Sequence, residues 1–172
     1  EPKIVDATTG LIVDAGGNPA AEFDGADYLN LGTAITATTG TLFTVANLST
    51  TDGEQSIVGA NSAFFPFADE NSISTFPWSS QGSVTSVYVD GTVQAWSTRG
   101  DAYTGIVTNS QVLMAREGVG TGTANIANVG AGYGPGDTKA TGTISEIIIY
   151  DTDQASNRAA IESDINSHYG IY

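Results

Sequence analysis

The chain has 172 residues, 40% of them apolar, which suits one domain with a sizeable core and excludes wholesale disorder. Lys and Arg number 5 and Asp and Glu 19, giving a formal net charge of −14. This charge disfavours nucleic acid and anionic membranes as partners, because both require a cationic protein surface. Cys is absent, so disulfides, thiol nucleophiles and Cys-ligated metals are excluded. No apolar run approaches the ~20 residues that span a bilayer, so no membrane insertion is expected.

Short segments rich in β-branched and aromatic residues, separated by Gly, Asn, Asp and Pro, predict strands along most of the chain. Residues 20–23 and 28–31 flank Asp24-Gly25. That pair predicts a tight turn, because Gly tolerates positive φ and Asp bonds to its own backbone. Further strands are predicted at residues 11–13, 42–48 and 55–60.

The middle of the chain contains the clearest hairpin pattern. Residues 84–89 and 92–97 flank Asp90-Gly91, a strong signal for a two-residue turn. Pro66, which cannot donate to a strand ladder, predicts an edge or bent strand around residues 64–67. Further strands are predicted at residues 112–116, 124–129 and 144–150.

One helix is predicted, at the end of the chain. Ile161, Ile165 and Tyr169 follow one another at a spacing of four and form one apolar stripe. Ser156 can cap the start of this helix, and Gly170 can end it. Strands without intervening helices favour antiparallel pairing. The predicted fold class is therefore all-β, a two-sheet antiparallel sandwich with one short C-terminal α-helix.

Several motifs resemble those of laminin-G-like, concanavalin A-like jelly-roll domains. The segment FDGADYLNL at residues 23–31 is similar to their early hairpin, and VYVDG at residues 87–91 to their central hairpin. GTISEIIIYD at residues 142–151 resembles their closing strand, and the pattern of residues 158–171 resembles the short helix that follows it. The resemblance implies one jelly-roll domain over residues 1–172, belonging to a longer polypeptide.

The same resemblance implies a non-catalytic carbohydrate-recognition or adhesion module. Such domains occur in secreted bacterial surface proteins and in phage virion proteins such as fibre, tail or decoration components. The expected partners are a glycan or host-surface polysaccharide and other virion or surface-protein domains, and the expected location is extracellular or in a virion. Two alternatives remain open: a purely structural virion decoration or spacer domain, and a glycoside hydrolase of the arabinofuranosidase-like jelly-roll type.

No catalytic residue is predicted from the motifs. Glu22-Phe23-Asp24 is the nearest match to the carboxylate pattern of laminarinase-like glycosidases, but Asp27 stands where a Glu is needed. The Asp24-Gly25 turn also falls inside the pattern, so these carboxylates would not share one strand face. Glu146 stands alone in an apolar strand, and His168, the single histidine, is expected to be solvated or to cap the helix end. The chain is therefore predicted not to be an enzyme.

The predicted ligand-binding residues are concentrated after the central hairpin. Sugar sites need aromatic faces and polar groups that bind hydroxyls. Trp96, Arg99, Asp101 and Tyr103 lie within one predicted loop, and Trp78 is expected to be adjacent. The alternative is a surface pair of Arg99 and Asp101 with Trp96 in the core, and Trp78 as a loop anchor.

Calcium (Ca2+) is a candidate cofactor, because the domains that this chain resembles often hold it through loop carboxylates and carbonyls. The loop carboxylates are Asp24, Asp27, Asp137 and Asp151. Their spacing is not that of an EF-hand, and solvated acidic loops are the alternative. No metal ligand is assigned.

Overall fold

A computed structural model shows strands and, within the residues that it describes, two helices. The structure describes residues 2–8, 10–37, 40–49, 53–60, 63–72, 84–119, 124–132 and 139–172. In chain order the elements are β1 (Val5–Asp6), β2 (Gly10–Leu11), β3 (Ala21–Asp24), β4 (Leu29–Ala37), β5 (Gly40–Leu48), β6 (Glu54–Ala60), β7 (Ala63–Asp69), β8 (Ser86–Val89), β9 (Thr92–Gln94), α1 (Arg99–Ile106), β10 (Val112–Val119), β11 (Ala124–Val129), β12 (Thr141–Tyr150) and α2 (Arg158–Tyr169).

Two antiparallel sheets pack face to face, and β1 and β2 form a separate two-stranded antiparallel sheet. One has the order β3-β12-β5-β10-β8-β9, and the other has the order β4-β11-β6-β7. Phe23, Leu48 and Met114 of the first sheet share a core with Ile57 and Ile126 of the second. None of these five side chains is more than 1% exposed. The predicted all-β, two-sheet antiparallel sandwich with a short C-terminal helix is confirmed.

The outer face of the six-stranded sheet is covered by α2. Phe43, Val45 and Leu113 form a second core with Ile165 of the helix. Side chains alternate between the two faces of a strand, so β5 sends Leu42 into the inter-sheet core and Phe43 under the helix. The strand predicted over residues 42–48 is therefore buried on both faces.

A β-bulge in β12 changes which side chains face the helix. The pairing of β12 with β5 shifts between Ile144 and Glu146. Ile144 lies in the inter-sheet core, and Ile147 also packs against that core, whereas Ile148 packs against the core under α2. An extra residue reverses the alternation of a strand, so the bulge places Glu146 on the same face as Ile148.

One of the two predicted Asp-Gly turns joins a hairpin, and the other does not. Val89 pairs with Thr92, and Asp90 and Gly91 both have positive φ, the geometry of a type I′ hairpin turn. At Asp24-Gly25 the hairpin that the family resemblance implies does not form, because β3 pairs with β12 while β4 pairs with β11 in the other sheet. The local turn still forms, since the Asp24 carboxylate accepts from the Ala26 N–H at 2.9 Å. An Asp-Gly pair specifies a reversal of the chain but not the partner of the next strand.

The helices differ from the prediction in two respects. Residues 99–106 form α1, where a loop was expected. The start of α2 is not capped by Ser156, because the N-cap residue is Asn157 and its side chain makes no capping hydrogen bond. The predicted end at Gly170 is confirmed by its left-handed backbone, with φ of 64°.

Candidate functional site

The predicted ligand-binding patch is built into the start of α1. The Asp101 carboxylate accepts from the backbone N–H groups of Ser97 and Thr98 at 3.0 and 2.8 Å. In return the Thr98 hydroxyl accepts from the Asp101 N–H at 3.1 Å, which completes a capping box. These hydrogen bonds lower the pKa of Asp101 to about 2, and the two from the backbone N–H groups of Ser97 and Thr98 have the largest effect. The Asp101 carboxylate thus serves to start the helix.

The aromatic members of the patch pack inward. Tyr103 is 7% exposed and belongs to the inter-sheet core. Trp96 is half-buried against the same core, and its ring lies so close to Gly105 that a Cβ there would collide with it. Arg99 is also half-buried, and Trp78 lies outside the described residues. Ligand binding by these five residues stays a prediction.

A separate groove of about 530 Å³ lies between α2 and β12. Two residues of the strand and five of the helix line it: Glu146, Ile148, Asp164, Ile165, Ser167, His168 and Tyr169. Asp164 and His168 are four residues apart and therefore neighbours on the exposed side of the helix. The β12 bulge supplies Glu146 on the opposite wall. The groove thus combines two carboxylates with two rings.

The Tyr169 hydroxyl lies in a negative environment beside the β12 bulge. It donates to the Ser145 carbonyl at 3.4 Å. Burial is the main cause that raises the pKa of Tyr169 to about 12, and the negative charges of Glu146 and Asp14 add to the rise. The phenol therefore stays protonated at neutral pH, donates its one proton to the Ser145 carbonyl and can accept a further hydrogen bond.

Asp14 stabilises the bulge behind this hydroxyl. Its carboxylate, 7% exposed, accepts from Gln111 Nε2 at 2.7 Å and from the Ser145 hydroxyl at 3.1 Å. It also accepts from the N–H groups of Gly16 and Asn18, both at 2.9 Å. Burial acts to raise the pKa of Asp14, but these hydrogen bonds together lower it. Asp14 therefore remains ionised and fixes the bulge residue.

His168 is exposed, as expected from the sequence. Its ring meets that of Tyr169 edge to face, with 4.7 Å between centroids. It lies in the last turn of α2, where the helix dipole favours a cation. The two rings form one aromatic corner of the groove.

A pair of acidic residues that the sequence reasoning missed is enclosed beneath α2. Glu117 and Glu162 are 5% and 2% exposed. Arg158 pairs with both, at 3.4 Å from Glu117, and its guanidinium lies 3.5 Å from the centre of the Tyr88 ring. Burial raises the pKa of both Glu117 and Glu162, and the charge of Arg158 opposes that rise. These two carboxylates are buried, so they are not available to a ligand. Their ion pairs with Arg158 hold α2 against β10 instead. The one available signal was the spacing of four between Arg158 and Glu162.

The candidate calcium ligands do not converge in the described part of the chain. No group of three or more His, Cys, Asp or Glu side chains among the described residues is placed to hold a metal ion. Asp24 is engaged by the Ala26 N–H, and Asp137 lies outside the described residues. Calcium binding stays a prediction.

No protein-family model, curated protein or solved structure matches the chain. Within the described ranges, none of the helices has the length and apolar character needed to cross a membrane. The proposal for the function therefore rests on the groove and the residues around it.

Proposed function

We propose that this chain is a non-catalytic carbohydrate-recognition module of the laminin-G-like, concanavalin A-like kind, and that the glycan binds in the groove between α2 and β12. The observation that supports this is the pairing of the Tyr169 and His168 rings with the carboxylates of Glu146 and Asp164 in one groove. Its volume of about 530 Å³ falls within the range typical of small-molecule sites.

The chemistry of the lining suits sugars. An aromatic ring packs against the C–H face of a pyranose, and carboxylates accept hydrogen bonds from hydroxyl groups. The Tyr169 hydroxyl, whose one proton goes to the Ser145 carbonyl, accepts a hydrogen bond from a sugar hydroxyl. Two carboxylates on a chain of charge −14 repel uronate and sulfate groups. Neutral or amine-bearing glycans are therefore the proposed ligand class.

The proposed setting is an extracellular or virion surface. There the module would bind a host-surface polysaccharide and connect to other virion or surface-protein domains. Calcium remains part of this proposal through carboxylates of the loops.

A glycan-array screen of the purified chain, with and without calcium, tests the proposal. Calorimetric titration of each hit should then show at least about tenfold weaker binding for Tyr169→Phe and Asp164→Asn, equivalent to ~1.4 kcal/mol. Asp151→Asn is the matched control, since Asp151 is an exposed carboxylate just after β12. Arg99→Ala tests the patch at α1 by the same measurement. Binding that survives the groove variants but is lost with Arg99→Ala would move the site to α1.

A glycoside hydrolase is the second candidate, because Glu146 and Asp164 line the same groove. Retaining and inverting glycosidases both use two carboxyl groups, at ~5 Å or roughly 6.5–9.5 Å separation. A general acid needs a carboxyl shielded from water; Asp164 is exposed and Glu146 is half-buried, so Glu146 would have to be that acid. Cleavage of a polysaccharide that is abolished by Glu146→Gln would establish the enzyme. Absence of any glycan hit in the screen would support a structural spacer instead.

A further inference from the structure

The edge strand β4 exposes apolar side chains along its length. In the described part of the four-stranded sheet its neighbour is β11 alone. Leu29, Leu31 and Ile35 are 43%, 37% and 42% exposed. Natural edge strands usually carry charges that keep other chains away, so these three side chains call for an explanation.

This edge is also free of charge. No Asp, Glu, Lys or Arg occurs in residues 28–51 or in residues 118–136, which include β4 and β11. The chain as a whole carries −14, so like charges keep two copies apart over most of their surfaces. The side chains of β4 itself add nothing to that repulsion.

An apolar cleft continues this surface into the opening between the two sheets. It has a volume of about 190 Å³ and is lined mainly by apolar residues, among them Phe23, Leu29 and Val129, and also by Glu146. Leu29 therefore belongs both to the exposed edge and to the cleft. A partner that covers β4 also shields this opening from water.

The backbone of β4 limits the form that a contact can take. Ile126 pairs with Ile35 and Asn128 with Asn30, so residues 31–34 bulge out of the ladder. Gly32, within the bulge, has a φ of +71°. A bulge interrupts the row of backbone donors and acceptors on a strand edge. Side chains, rather than a continued sheet, must supply the contact.

We propose that β4 is a self-association surface, through which two copies of this chain pack Leu29, Leu31 and Ile35 against the same residues around a two-fold axis. A two-fold contact buries the same patch on both copies, and a neutral apolar patch is complementary to itself. A basic partner would instead be attracted to the anionic remainder of the surface. The occupant is therefore a second copy, and this inference is independent of the carbohydrate proposal.

Sedimentation over a range of protein and salt concentrations tests this contact. The average mass should rise from 17.6 kDa toward twice that value with concentration. Higher salt should strengthen the association, because it screens the repulsion between two anionic chains. A single mass of one chain under all conditions would refute the proposal, and so would a dimer that weakens as salt is added.

Two variants and a matched control locate the contact. Ile35→Lys and Leu31→Lys should each weaken the dimer at least about tenfold, by placing like charges face to face. Val93→Lys is the control, since Val93 is 62% exposed on β9, the edge strand of the other sheet. Leu31 lies in the bulge, so its variant keeps the test valid if Ile35→Lys fails to fold by circular dichroism. Equal weakening by Val93→Lys, or a dimer unaffected by the folded β4 variants, would exclude β4 as the interface.

Discussion

The two helices are stabilised in opposite ways. At the start of α1, Thr98 and Asp101 form a reciprocal capping box. The N-cap residue of α2, Asn157, makes no side-chain cap. That helix is fixed instead by its apolar stripe and by Arg158, which joins two buried carboxylates. Local hydrogen bonds thus define where α1 begins, whereas tertiary packing defines α2.

The largest effect is expected from removing the packing of α2. Ile165→Ala should lower the free energy of unfolding by roughly 2–4 kcal/mol, because it leaves a cavity at a buried site. Ile165 is 5% exposed, whereas Ile161 of the same stripe is only partly buried. Urea denaturation should therefore show a smaller loss for Ile161→Ala. Equal losses would mean that the stripe does not pack as described.

Removal of the cation under α2 comes next. Arg158→Met should cost about 3 kcal/mol at neutral pH, because Glu117 and Glu162 then lie buried without an opposite charge. This is the low end for a buried pair, since the Arg158 side chain keeps 17% exposure. Burial raises the pKa of both carboxyls above the unfolded value. Protonation therefore favours the folded state, and the loss should shrink as pH falls toward 4.5.

Denaturant midpoints measured at several pH values check this dependence. Adding Glu162→Gln to Arg158→Met removes one buried charge and should restore part of the stability at neutral pH. A deficit of constant size across the pH range would show that the carboxylates are not responsible for it.

The sequence predicts α2 but not α1, because the prediction of a helix depends on a visible apolar stripe. A stripe of Ile161, Ile165 and Tyr169 is visible as a helical period, but α1 buries Ala102, Tyr103 and Ile106 without a comparable stripe. The spacing of Thr98 and Asp101 is that of a capping box, and it was the available signal for α1. From the sequence alone, Asp101 could equally be a capping residue or a residue that binds a ligand. Only the fold distinguishes the two roles.

The groove was hidden for a different reason. Glu146 and Tyr169 are far apart in the chain, and the face that Glu146 occupies depends on one bulge residue, Ser145. The alternation rule alone places Glu146 on the face of Ile144, whereas the shifted register pairs Glu146 with Val45, which lies in the core under α2. The bulge is stabilised by Asp14, from a third region of the chain. Such a convergence cannot be read from local patterns.

The cap of α1 should contribute less than the packing of α2. Thr98→Ala should cost about 1 kcal/mol, because one N–H of the first turn loses its acceptor. Thr98→Ser retains the hydroxyl and is the matched control. Thermal unfolding of the three proteins measures the difference, and equal midpoints for wild type and Thr98→Ala would mean that the capping box contributes nothing.

The smallest expected effect is the pH dependence of stability that Asp101 contributes at α1. Its sign is opposite to that of the buried carboxyls under α2, because the pKa of Asp101 is lowered and theirs is raised. The pKa of Asp101 is lowered from 3.8 to about 2, so its stabilisation is complete above pH 3.8 and is lost as pH falls through 2. Asp101→Asn should remove this part of the acid sensitivity. Acid titrations of unfolding that are parallel for the two proteins would contradict the assignment.

The position of β12 in its sheet also governs the timing of folding. Residues 141–150 lie between β3, at residues 21–24, and β5, at residues 40–48. The six-stranded sheet therefore cannot be completed before residues 141–150 have left the ribosome. Until then, the edges of β3 and β5 that pair with β12 stay unpaired. Pairings so distant in sequence make folding slow, on the order of milliseconds to seconds. During that interval β4, which carries no charged residue, is exposed to other copies of the chain.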